Sequence, residues 1–131
     1  MKTVRINRNR WARGKFQGSE YDGFEAETTL FDSLTETACC LGHAIHQVNR
    51  CSWNELIYKG YPNDFYIRKS FLTDNFGCNN IFAKKAIEIN DSTHISEATR
   101  ERKLIALFKK NGIRLVFYGP KAKVPKKEIM V

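Results

Sequence analysis

Residues 2–7 alternate polar and apolar positions, with Val4 and Ile6 on one side and Thr3, Arg5 and Asn7 on the other. A period of two residues predicts a half-buried strand. Residues 112–118 repeat the pattern, placing Ile113, Leu115 and Phe117 inward and Arg114, Val116 and Tyr118 outward. Two such strands at opposite ends of one domain predict an α+β fold. In it a small antiparallel sheet contains both the N- and C-terminal strands and packs against about four helices.

Between the strands the period changes to that of a helix. Over Thr37 to Val48, Ala38, Leu41, Ile45 and Val48 recur at three- and four-residue intervals. Gly42 interrupts this stretch at a cost of about 1 kcal/mol relative to Ala, which predicts close approach of another backbone. Ser52-Trp53-Asn54-Glu55 is a capping box opening a short helix that Gly60 ends, and residues 61–64 read as a turn. Asn79 or Asn80 caps a helix through Ile89 with a stripe of Ile81, Phe82, Ala86 and Ile89, broken by residues 90–93. Ser96 caps the clearest helix, Glu97 to Lys110, with Leu104, Ile105, Leu107 and Phe108 as its stripe and Asn111-Gly112 as its stop. Residues 15–35 read as an acidic loop in which Thr28 to Phe31 offers a short strand.

Length and composition bound the organisation. The 131 residues make one domain, expected over 1–118, followed by a basic flexible tail over 119–131. Nine Phe, five Tyr and two Trp within a 42% apolar share belong to a folded chain. No apolar run reaches the roughly 20 residues that cross a bilayer, so no membrane partner is expected. The expected location is a cytoplasm, where Cys39, Cys40, Cys51 and Cys78 stay thiols and pack as small apolar residues.

The charge is unevenly placed. Residues 1–18 carry six basic side chains and no acid, and residues 119–131 carry four lysines against Glu128; the hundred residues between hold 12 basic and 13 acidic side chains. If the ends meet, a near-neutral body carries one cationic surface suited to an anionic ligand. Within the first run, Arg5, Arg8, Arg10 and Arg13 are candidate phosphate contacts, because guanidinium binds phosphate bidentately, and Trp11 is a candidate stacking platform. Asn90 and Asp91 offer an amide and a carboxylate for a sugar or base edge, or an Asx turn that caps the next helix.

Catalytic and metal patterns are weaker. Cys39, His43 and His46 stand at i, i+4 and i+7 and could form one edge of a zinc site, yet no paired CxxC or HxxxH element accompanies them. Cys39 or Cys40 in the first turn of a helix could be a thiolate nucleophile with His94 as its base, without a protease or phosphatase signature around it. No catalytic residue, metal or cofactor is therefore assigned. Whether Cys39, Cys40, His43 and His46 do chemistry or only pack stays open.

Trp11-x-Arg13-Gly14, Cys39-Cys40-Leu41-Gly42, Gly60-x-Pro62, Ile89-Asn90-Asp91, Ser96 with Arg100-Glu101, and Leu107-Phe108 leading to Gly112-Ile113 occur in that order. The succession resembles a group of small bacteriophage-encoded proteins with a basic start, a CCLG helix and an IND segment. The resemblance implies phage origin and action in the host cytoplasm against host antiviral defence, and assigns no activity. The reading it supports is a non-enzymatic, homo-oligomeric protein that sequesters a nucleotide-type signal. The alternatives are a binder of nucleic acid or ribonucleoprotein, such as an inhibitor of a CRISPR effector, and a cysteine-dependent enzyme.

Overall fold

The computed structural model describes residues 1–14, 30–57 and 80–121. Among them run β1 (Lys2–Asn7), a single 3-10 turn (Arg8–Arg10), α1 (Cys40–Val48), α2 (Trp53–Leu56), α3 (Asn80–Asp91), α4 (Glu97–Lys110) and β2 (Ile113–Tyr118). The predicted helix end at Gly60, the turn at 61–64, Cys78 and the tail beyond Lys121 lie outside the described residues.

Both terminal strands are present and neighbours, but they pair in parallel, from Lys2 beside Ile113 to Asn7 beside Tyr118. This corrects the antiparallel sheet expected above. Alternation of side chains is the same in either orientation, so periodicity cannot decide it. Connection decides it instead. Asn111 and Gly112 reverse the chain in two residues after α4, so β2 runs back along α4; the helices between form the long crossover that parallel pairing requires. The inner side chains match the expectation: Val4, Ile6, Ile113 and Leu115 are buried, β1 packs on α1 and β2 on α4. The edge of β1 away from β2 is closed by a side chain. Gln47 accepts from the Arg5 N–H at 2.8 Å and donates to the Arg5 carbonyl at 2.7 Å, imitating a neighbouring strand.

Local signals explain the helix ends. Ser96 Oγ accepts from the Thr99 N–H at 3.1 Å, and Lys109 and Lys110 occupy the last turn of α4. Gly112, at φ +84°, supplies the left-handed stop. The Ser52–Glu55 capping box forms in both directions. Helix α1 starts at Cys40 rather than Thr37, and α3 runs through Asp91, so Asn90 and Asp91 form its last turn instead of breaking it. Ile105 and Ile81, placed on apolar stripes by periodicity, are 39% and 62% exposed. Leu41, Ile45, Leu104 and Phe108 are buried as expected, Phe108 meeting Phe82 edge-on at 5.1 Å.

Gly42 has the role its position predicts. A Cβ there would collide with the Leu30 carbonyl oxygen, so the first turns of α1 press directly on another stretch of backbone. Gly42→Ala is expected to lower the unfolding free energy by about 3 kcal/mol, through overpacking against atoms that cannot rotate away. Gly112→Ala, with open space around its Cβ but positive φ, should cost only about 1 kcal/mol. Urea denaturation of the two variants checks the order; equal losses would show that contact with Leu30 is not the reason for Gly42.

Candidate functional site

Of the residues singled out by sequence, Trp11, Arg13, Asn90 and Asp91 come together at one junction, while Arg5 and Arg10 stand apart from it. Asn90 stands at the end of α3 and is fully buried. Its side-chain oxygen accepts from Trp11 Nε1 at 2.8 Å and from the Cys40 N–H at 3.1 Å. Its amide nitrogen donates to the Ala12 carbonyl at 3.0 Å and to Asp91 Oδ1 at 3.0 Å. The backbone carbonyl of Asn90 accepts from the Gly14 N–H at 2.8 Å and from Arg100 Nη1 at 2.9 Å. One residue thus joins the segment after β1, the start of α1 and the ends of α3 and α4. The contact to Cys40 also explains how α1 begins without a polar N-cap. Cys39 offers no side-chain bond there, and Asn90 satisfies one of the unpaired N–H groups from another helix.

Trp11 is fully buried, with its ring 4.4 Å from that of Phe117 and the Arg13 guanidinium 4.3 Å above it. It has no face open to a base. Arg13 is only 3% exposed; it bonds the carbonyls of Arg8 and Trp11 and pairs with Glu97 at 2.9 Å. Burial pulls its guanidinium below the usual value while Glu97 opposes the shift. Arg8 binds both oxygens of Glu101, at 2.7 and 2.9 Å, and this contact raises its pKa. It also donates to the Gly119 carbonyl at 2.6 Å, so the ends of the two strands do meet, a consequence of their parallel pairing. The charge there is matched by acids from α4. Glu101 and Glu97 neutralise Arg8 and Arg13, two of the four arginines in what looked, along the sequence, like an uncompensated run. Arg5 stays exposed on β1, and Arg10 forms a solvent-exposed pair with Glu36 at 3.2 Å.

Arg100 completes the junction. It is 2% exposed, donates to the Ile89 carbonyl at 2.7 Å and pairs with Glu97 at 3.3 Å. A Cβ on Gly14 would stand 2.7 Å from its Nη2, and Gly14 has φ +52°. The Trp-x-Arg-Gly, Cys-Cys-Leu-Gly and Ile-Asn-Asp segments therefore meet at one buried architectural joint. The role of Arg100 is not evident along the chain; its one local sign is an arginine three residues after Glu97, inside an otherwise apolar stripe.

Cys40, His43 and His46 are each engaged within the fold. Cys40 is buried, and desolvation pushes its thiol well up, opposite to the shift a nucleophile needs. His43 bonds the Arg10 carbonyl through Nε2 at 2.9 Å, so that nitrogen carries the proton. His46 donates through Nδ1 to the Cys51 carbonyl at 2.7 Å and stacks on Trp53 at 3.9 Å. Among the described residues no group of three or more His, Cys, Asp or Glu is arranged to hold a metal ion. No described helix is long and apolar enough to cross a membrane.

An open cavity of about 360 Å³ lies beside this joint. Phe31 and Trp53, stacked at 4.8 Å, form its aromatic wall, with His43 and Ala38 behind and Arg10, Ser33 and Glu36 at the rim. The lip is a turn held by the Leu34 N–H donating to Asp32 Oδ1 at 2.9 Å and the Asp32 N–H to the Thr37 carbonyl at 2.8 Å. The chain matches no protein family, and no curated protein or solved structure is detectably similar to it.

Asn90→Ala strands the Trp11 indole N–H, the Cys40 N–H and the Ala12 carbonyl, and is expected to cost about 3–5 kcal/mol in urea denaturation. Asn90→Asp keeps both acceptor contacts but sets a buried carboxylate against the Ala12 carbonyl and Asp91 Oδ1, and should cost at least as much as Asn90→Ala. Stability also depends on pH through His43. Burial lowers its pKa to about 4, against 6.5 in the unfolded chain, so the unfolded state takes up the proton first. The stabilisation is complete above about pH 6.5 and is lost as pH falls toward 4, by about 3 kcal/mol at most. His43→Gln should flatten this part of the stability–pH curve, measured by denaturation at steps across the interval.

Proposed function

We propose that the protein is a non-enzymatic binding protein that captures a small nucleotide-type anion in the cavity between Arg10 and Trp53. The observation that carries this reading is the pairing of an aromatic wall with an arginine whose own ion pair is weak. A volume of about 360 Å³ falls in the range of small-molecule sites, and Phe31 and Trp53 offer apolar surface to a planar base. Arg10 and Glu36 have side chains 57% and 64% exposed, and exposed pairs contribute at most about 1 kcal/mol. An incoming phosphate can therefore displace Glu36 from Arg10 at small cost. Arg10 is the member of the N-terminal run at this rim; Arg8 and Arg13 serve the fold.

The biological role in this proposal, sequestration of a host immune signal by a phage protein acting in the host cytoplasm, rests on the resemblance of the ordered motifs. Homo-oligomerisation belongs to the same reading. A thiol enzyme is disfavoured by the raised pKa of the enclosed Cys40. Isothermal titration with mono-, cyclic and dinucleotides, read alongside Trp53 fluorescence, tests the reading. Binding is expected for one of these classes, with about a tenfold loss in Arg10→Ala and no change in Arg5→Ala. Absence of heat and of quenching across the panel overturns it.

A further inference from the structure

The outer face of the β1–β2 pair is a second surface with a distinct chemistry. Thr3, Arg5 and Asn7 from β1 and Arg114, Val116 and Tyr118 from β2 point to it, since their neighbours in each strand face α1 and α4. Parallel sheets are usually covered on both faces. Here Thr3, Arg5 and Arg114 are exposed and Tyr118 is 47% exposed, while Val116 adds a half-buried apolar patch between them. The register sets Thr3 beside Arg114 and Arg5 beside Val116, so the two arginines stand diagonally, with backbones about 8 Å apart. Among the described residues none of the six side chains on this face is acidic, and no ion pair engages Arg5 or Arg114. Lys121 follows Tyr118 at its far end. The edge bond from Gln47 holds the Arg5 backbone rigid while leaving its side chain out.

We infer that this face binds single-stranded nucleic acid, with Tyr118 stacking on a base and Arg5 and Arg114 contacting the backbone phosphates. The occupant follows from charge and shape. A second copy of the chain presenting the same face would set arginine against arginine, with no acid among the strand residues of that face to compensate. A duplex keeps its bases stacked and offers Tyr118 no ring face, whereas an unstacked strand offers one at every nucleotide. Arginine in place of lysine suits bidentate phosphate contact. This site is separate from the cavity of Arg10 and Trp53, so each stands or falls alone.

Fluorescence anisotropy with a short labelled oligouridylate, the matching oligothymidylate and a duplex of mixed sequence tests the inference on the full chain. Binding to at least one single strand is expected, weaker for the duplex; comparison of RNA with DNA identifies which sugar is preferred. The Arg5→Ala/Arg114→Ala pair should make the slope of log affinity against log salt shallower by about 1.4, at about 0.7 per phosphate contact. Tyr118→Ala should weaken binding roughly five- to 150-fold, and Tyr118→Phe should retain it. Lys84→Ala/Lys85→Ala removes equal charge from the exposed side of α3 and should leave affinity unchanged. Failure to bind either strand, equal affinity for the duplex, or an equal loss in the α3 variant overturns the inference. Since these side chains are exposed and make no described ion pair, unchanged circular dichroism is expected in every variant.

Discussion

The buried amide of Asn90 is the constraint on which the rest of the molecule depends. Three chain segments far apart in sequence end at it: the stretch after β1, the start of α1 and the last turn of α3. The first brings the Trp11 indole N–H and the Ala12 carbonyl and the second the Cys40 N–H, groups costly to enclose alone, while the third carries Asn90 itself. A side-chain amide has both donors and acceptors, so one residue satisfies all three. Arg100 and Glu97 extend the network into α4, and Arg13 joins it beside Trp11. The joint is specific because a partial version would leave enclosed polar atoms without partners.

This arrangement changes the meaning of the N-terminal arginine run. Along the chain it stands without acids for nineteen residues, which invites a reading as an anion site. In space, α4 supplies Glu97 to Arg13 and Glu101 to Arg8. Two of the four arginines become internal struts. The other two stay accessible, Arg10 at the cavity rim and Arg5 on the outer sheet face near Arg114. Parallel pairing makes that division possible, because it carries the segment after β1 to the end of β2.

The two proposed surfaces differ as their surroundings differ. The cavity is concave, aromatic and backed by a neutral histidine, which suits a small planar ligand with one anionic group. The sheet face is open, with charge spread along strands, which suits a repeating anion. Arg10 directly precedes Trp11 of the buried joint and Arg5 sits in a paired strand, and fixed backbone limits the entropy lost when a ligand orders the side chains it meets.

Much of the local structure was legible from sequence alone. Alternation marked β1 and β2 and their inner faces, Ser52 and Ser96 marked helix starts, Gly112 marked a stop, and Gly42 announced a close backbone contact that Leu30 supplies. These are properties of residues within a few positions of one another, and short-range sterics and hydrogen bonding decide them. Strand direction, the partners of Arg8 and Arg13, the enclosure of Trp11 and the bond from Asn90 to Cys40 were decided only in three dimensions. Each joins groups separated by tens of residues, and the same alternation or the same arginine reads identically with either outcome. Only the folded chain, by bringing acids of α4 against the segment after β1, determines which charges are consumed and which stay available.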